Sequence, residues 1–129
     1  MTLRGIRGAI TISEDREDEI WSSTRELLQA IQEQNGFAVE DIASVFFSVT
    51  PDINSAFPAV AARAMGWDRV PLMCFQEIDV SGAVGLCIRI LIHINTSQEQ
   101  DEIKHVYLRD ARNLRNDLAG NQSGDGPVG

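Results

Sequence analysis

A chain of 129 residues with 43% hydrophobic and 23% charged residues has the size and balance of one globular domain, with little room for a second. A formal net charge of −8 argues against nucleic acid or an anionic membrane as a partner, and no apolar run approaches membrane-spanning length. Met1-Thr2-Leu3-Arg4-Gly5 lacks the apolar stretch of a signal peptide, so the expected compartment is the cytoplasm.

Leu3 to Ile12 reads as the first strand, with Leu3, Gly5, Arg7, Ala9 and Thr11 on one face. Glycine inside a strand marks either a bulge or a close approach by a ligand or another backbone, and Gly5 and Gly8 leave both open. Ser13 is the expected cap of a helix with an acidic first turn, Glu14 to Asp18, read as a solvated helix start. Ile20, Thr24, Leu27, Leu28 and Ile31 give that helix one core-facing stripe, and Asn35-Gly36 ends it.

Ile42 to Val49 is a second strand, closed by Thr50-Pro51-Asp52. A short helix follows, with Pro58 in its first turn, Ala59 to Met65 as its body and Gly66 as its stop. Val70 to Phe75 is a third strand, and Gln76 to Gly85 a loop holding the acidic pair Glu77 and Asp79. In the fourth strand, Leu86, Ile88, Ile90, Ile92 and Ile94 form a purely aliphatic face, while Cys87, Arg89, Leu91 and His93 form the other. Ile103 to Leu108 is the last strand, with His105 and Tyr107 on one face, and the composition of residues 119–129 predicts a flexible tail. The expected fold is therefore α/β (α+β): a mixed five-stranded sheet with two helices on one face. The other face would stand half-apolar and bare, and a neighbouring subunit is the simplest cover.

Ten of the basic residues are arginine and one, Lys104, is lysine. Arginine's planar fork suits the grip on a carboxylate or phosphate. Arg89 is the sharpest anomaly, because a guanidinium within an aliphatic strand is costly unless acceptors satisfy it. It is either a structural ion pair with Glu77 or a cation that awaits an anionic ligand beside Glu77. Arg7, Arg63 and Arg115 are further cations. Cys74 and Cys87 have no metal-ligand spacing, and His93 and His105 form no motif with them, so no metal is expected. The residues point this far, to a domain binding a small dianion through arginines.

Several stretches then resemble the monofunctional chorismate mutases of the AroH class, in the family's order and near its spacing. They are Arg4-Gly5-Ile6-Arg7-Gly8-Ala9, Thr50-Pro51-Asp52, Phe57-Pro58-Ala59, Gln76-Glu77-Ile78-Asp79-Val80, Cys87-Ile88-Arg89, His105-Val106-Tyr107-Leu108 and Leu114-Arg115. The resemblance implies one domain over 1–118 and a homotrimer shaped as a pseudo-α/β barrel, with active sites in clefts between subunits. It implies Arg7, Glu77, Arg89 and Cys74 on one side of the cleft, with Phe57, Arg63 and Tyr107 also matching. Arg115 matches a mobile segment that closes over the site. Val60 departs from a lysine found in some members, and Asn116 from a common proline.

The implied reaction is the unimolecular [3,3] rearrangement of chorismate to prephenate, in aromatic amino acid biosynthesis, with no cofactor. It needs no nucleophile, proton transfer or metal. Arg89 is assigned to the ether oxygen, Arg7 to assistance or a carboxylate, and Glu77 to orienting Arg89 and accepting from the ring hydroxyl. Tyr107 and Arg63 would contact a carboxylate, Cys74 would sit near the ether and hydroxyl, and Phe57 would supply apolar wall. The competing readings are an enamine/imine deaminase of similar layout and a non-catalytic trimeric module for an aromatic-pathway carboxylate.

Overall fold

The computed structural model describes residues 1–114; Arg115 and the expected tail of residues 119–129 lie outside them. Its elements are β1 (Thr2–Thr11), α1 (Glu17–Asn35), β2 (Ile42–Val49), α2 (Ala59–Ala64), β3 (Leu72–Gln76), β4 (Cys87–Thr96) and β5 (Val106–Leu108). The strands form one mixed sheet in the order β3-β2-β4-β1-β5. β4 runs antiparallel to both β1 and β2, while β2–β3 and β1–β5 are parallel pairs. The mixed five-stranded sheet expected from the alternation of apolar positions is present.

That alternation also fixes the core. Ile88, Ile90, Ile92 and Ile94 of β4 share one buried face with Ile6 and Ile10 of β1 and with Val45 and Phe47 of β2. Ile20, Leu27, Leu28 and Ile31 of α1 and Ala59 and Ala62 of α2 close the same core. Gly8 lies between Ile6 and Ile10 on this face, and its place has a steric reason. A Cβ there would stand 2.7 Å from Ile31 Cδ1, 3.3 Å from Leu27 Cδ1 and 3.1 Å from the Val106 carbonyl oxygen. The close approach is that of α1 and β5, and the β1–β4 register is unbroken from Thr2↔Thr96 to Thr11↔Cys87, so Gly8 is not a bulge.

Two boundaries correct the sequence expectation. Ser13 does not cap α1, whose flanking residue is Arg16 with no side-chain cap. Instead the Ser13 hydroxyl donates to Glu19 Oε1 at 2.6 Å and its backbone N–H donates to the same oxygen, because a first-turn carboxylate reaches back to it. The last strand is also shorter than Ile103 to Leu108. Asn35, at the end of α1, accepts from Lys104 N and donates to Lys104 O, both at 2.9 Å, and His105 Nδ1 accepts the Arg7 N–H at 2.9 Å. Side chains thus occupy backbone groups that a longer β5 would have paired.

Candidate active site

α1 and α2 cover one face of the sheet; the other carries the charged residues, and Ala111 and Leu114 pack there against Ala9, Cys87 and Tyr107. Strand alternation puts Arg89 between Ala9 of β1 and Ser48 of β2, two small neighbours, and Tyr107 next to Ala9. Here the face sinks into a depression of about 180 Å³ whose lining includes Arg7, Ser48, Phe75, Glu77, Arg89 and Tyr107. Four of the eight residues singled out from the sequence therefore meet: Arg7, Glu77, Arg89 and Tyr107.

Arg89 Nε faces Glu77 Oε2 at 3.4 Å, with both side chains at most one-quarter exposed. The contact is ionic: among the described residues Nε is buried without a hydrogen-bond partner. Glu77 is held in turn by the Ser48 hydroxyl, which donates to Oε2 at 2.8 Å, and by its own N–H, which donates to Val49 O at 2.8 Å. The structural ion pair is thus present, but it leaves a guanidinium whose donors are incompletely used in a recessed site. Among the described residues that line it, two guanidinium groups stand against one carboxylate, a net positive lining within an acidic chain. Such a site suits a small anion.

The Thr50-Pro51-Asp52 motif sets where β4 begins. Asp52 accepts the Leu86 N–H with both carboxylate oxygens, at 3.1 and 2.9 Å, and receives the Thr50 hydroxyl at 2.6 Å. Thr50 Oγ1 accepts the Cys87 N–H at 2.9 Å. This clamp holds Leu86 in the left-handed region, at φ 47°, three residues before Arg89. A Cβ on Gly85 would meet Asp52 Oδ2 at 2.8 Å, so the clamp also requires that glycine. Asp52→Ala is expected to cost about 2 kcal/mol of stability, read from urea unfolding, since it leaves the Leu86 N–H without its acceptor and the Thr50 hydroxyl with only the longer contact to Cys87 O, at 3.5 Å. Unchanged unfolding would mean that the clamp does not hold the strand.

Cys74 departs from the grouping the resemblance implies. It pairs with Phe47, whose side chain is in the core, so it points to the helix-covered face, away from Glu77 and Arg89. There it lines a second depression, of about 520 Å³, with Phe57, Val60 and Trp21. Phe57 is largely exposed. Its loop is pinned by Asp15, which accepts from Asn54 N and Ser55 N, and by Trp21 Nε1, which donates to Phe57 O at 3.3 Å. Asp15 is therefore more than part of a solvated helix start. Arg63 is exposed in the last turn of α2, and its side chain makes no hydrogen bond or ion pair among the described residues.

Sequence reasoning missed Ser48, Asp15 and the role of His105. Ser48 becomes visible only through cross-strand register, which no local pattern announces. Partial burial lowers the His105 pKa below its ordinary 6.5, and the Arg7 guanidinium lowers it further. A depressed histidine binds fewer protons folded than unfolded, so it contributes stability above about pH 6.5 that is lost as pH falls through the folded value. His105→Asn is expected to flatten the dependence of unfolding free energy on pH just below 6.5; an unaltered slope there would contradict it. Burial pushes the Cys87 thiol pKa up, partly opposed by the Arg89 charge. Among the described residues, no group of three or more His, Cys, Asp or Glu side chains is placed to hold a metal ion, and no helix is long and apolar enough to cross a membrane.

The chain matches the sequence family described as Chorismate mutase type I over residues 3–118. It is 50% identical over 117 residues to the chorismate mutase AroH of Thermus thermophilus, covering 90% of this chain and 96% of that one. It is 45% identical over 120 residues to the chorismate mutase AroH of Bacillus subtilis (strain 168), covering 92% and 94%. The solved structure of a chorismate mutase from Clostridium thermocellum superposes with a TM-score of 0.83 at 49% identity, covering 84% of this chain and 96% of that chain.

Proposed function

The chain belongs to the type I chorismate mutase family and is a chorismate mutase, an isomerase, and from that premise we propose that its reaction takes place in a cleft shared by two copies of the chain in a homotrimer. The observation that carries this reading is the Arg89–Glu77 pair beside Arg7 and Tyr107, recessed in the sheet face opposite α1 and α2. Exposed Met73 and Phe75 on β3 border that face and call for an apolar cover. Phe57, Cys74 and Arg63 lie on the helix side, so a neighbouring copy would bring their group against the arginines of the first. The compartment is the cytoplasm, and residues 1–118 form the working domain.

In such a cleft the enzyme makes no bond to the substrate. Chorismate must fold its enolpyruvyl side chain over the ring, and cations on its two carboxylates would hold that conformer. Arg7 and Arg63 take this part, Tyr107 adds a hydroxyl donor to a carboxylate, and Phe57 is apolar wall. As the C–O bond breaks ahead of C–C bond formation, negative charge gathers on the ether oxygen. Arg89, pre-oriented by Glu77, stabilises that charge more than the charge of the ground state, which is what accelerates a unimolecular step. Glu77 also accepts the ring hydroxyl.

Shared sites make a specific demand on mixed oligomers. Arg63→Ala and Arg89→Ala subunits, each defective alone, should regain activity when refolded together, approaching about one quarter of wild type if subunits mix randomly around a closed ring. Activity no higher than the mean of the two parents would mean that each site is built by a single chain.

A further inference from the structure

Arg7 owes its backbone position to a group that the reaction itself does not use. β5 pairs with β1 only at Gly8↔Val106, Ala9↔Tyr107 and Ile10↔Leu108. One residue earlier the Arg7 N–H points beyond the end of that ladder, and it donates to His105 Nδ1 at 2.9 Å. A backbone N–H is always the donor, so Nδ1 must carry its lone pair and the ring proton must sit on Nε2. We infer that His105 is a positioning residue for catalysis: its Nδ1 stands in for a missing strand carbonyl and fixes the backbone from which the Arg7 guanidinium reaches the cleft.

Three features support this. His105 is itself anchored, because Asn35 at the end of α1 grips both backbone groups of the preceding Lys104. The charge acting on the ring is the Arg7 guanidinium, and the lowered pKa keeps the ring neutral, and therefore an acceptor, at neutral pH. Lys104 is the other cation on its own segment; a protonated ring would add a like charge between it and Arg7 and would turn Nδ1 into a donor facing a donor. The second histidine is engaged elsewhere, with Ser44 Oγ at 3.1 Å across β2 and β4.

The inference rests on the mutase reading through Arg7, and its test separates the two. Asparagine can place an oxygen near the position of Nδ1, whereas glutamine places its oxygen near that of Nε2. His105→Ala should lower kcat/KM about fivefold, the size expected for one lost hydrogen bond. His105→Asn should recover most of that loss and His105→Gln should not. Equal behaviour of the Asn and Gln variants, or an Ala variant within twofold of wild type, would overturn the inference. Should the variants fold poorly, the ring ¹⁵N shifts of the wild-type protein decide: an Nε2–H tautomer for His105 is expected, and an Nδ1–H tautomer would refute it. Wild-type protein that does not turn over chorismate would instead remove the function on which this rests.

Discussion

Arg89→Ala is expected to lower kcat by about two to three decades, the scale seen when one fixed donor to a developing oxyanion is removed. At about 1.4 kcal/mol per decade, that is roughly 3–4 kcal/mol of transition-state stabilisation. The geometry explains why one side chain should carry so much. Ala9 and Ser48 flank it closely, Glu77 restrains its Nε, and its side chain is mostly shielded from water. A cation restrained in this way has little reorganisation left to undergo as charge develops. KM should change much less than kcat, because the favoured interaction is with the transition state. Arg89→Lys keeps the charge but loses the planar fork, and an intermediate loss is expected. A fall confined to KM would reassign Arg89 as a binding residue. Near-normal turnover would remove it from the mechanism, and the pair with Glu77 would then be structural. The folded state should survive the change, since Glu77 retains the Ser48 hydroxyl and its own link to Val49; thermal unfolding of the variant checks this.

Gly8→Val should have the largest effect on stability, about 2–3 kcal/mol by urea unfolding. The first added carbon already conflicts with Ile31 Cδ1 at 2.7 Å and approaches the Val106 carbonyl at 3.1 Å. The Ile31 methyl is the end of a flexible chain and can turn away; the carbonyl belongs to the β1–β5 ladder and cannot. Branching at Cβ adds two more carbons to the same space. Gly8→Ala should therefore cost less, about 1 kcal/mol, because a single methyl leaves room for Ile31 to move. Activity should fall with the valine change as well, since Gly8 joins Arg7 to Ala9 on the strand that carries one side of the depression. A valine variant as stable as wild type would show that α1 does not rest on β1 as closely as described.

Where sequence and structure agree, the cause is strong periodicity. The isoleucines of β4 occupy every second position, so the face on which Arg89 must stand follows from the pleat alone, as does its neighbour set of Cys87, Leu91 and His93. The stripe from Ile20 to Ile31 and the left-handed Gly36, at φ 65°, likewise made α1 and its end legible. The fold class, a mixed five-stranded sheet, needed no more than these.

What stayed hidden depends on partners distant in sequence. Ser13 is a sound capping residue locally, yet Glu19 takes its hydroxyl and α1 starts at Glu17. β5 reads as six residues by composition, but Asn35, 69 positions before Lys104, and Arg7, 98 positions before His105, engage its first part. The separation of Cys74 from Glu77 was available in principle, since Cys74 follows the pleat into the core side. It was obscured because Glu77 lies beyond the end of β3, where alternation no longer binds it. Family resemblance grouped Cys74 with Arg7, Glu77 and Arg89, whereas the pleat of β3 puts it on the opposite face of the chain.

The direct measurement is the loss of chorismate's ultraviolet absorbance on addition of the purified protein, with the product identified as prephenate by its acid conversion to phenylpyruvate. Catalysed loss that yields prephenate stoichiometrically, without added metal or cofactor, is the result expected here. Binding of chorismate without turnover would contradict it, leaving the positive depression a carboxylate-binding site.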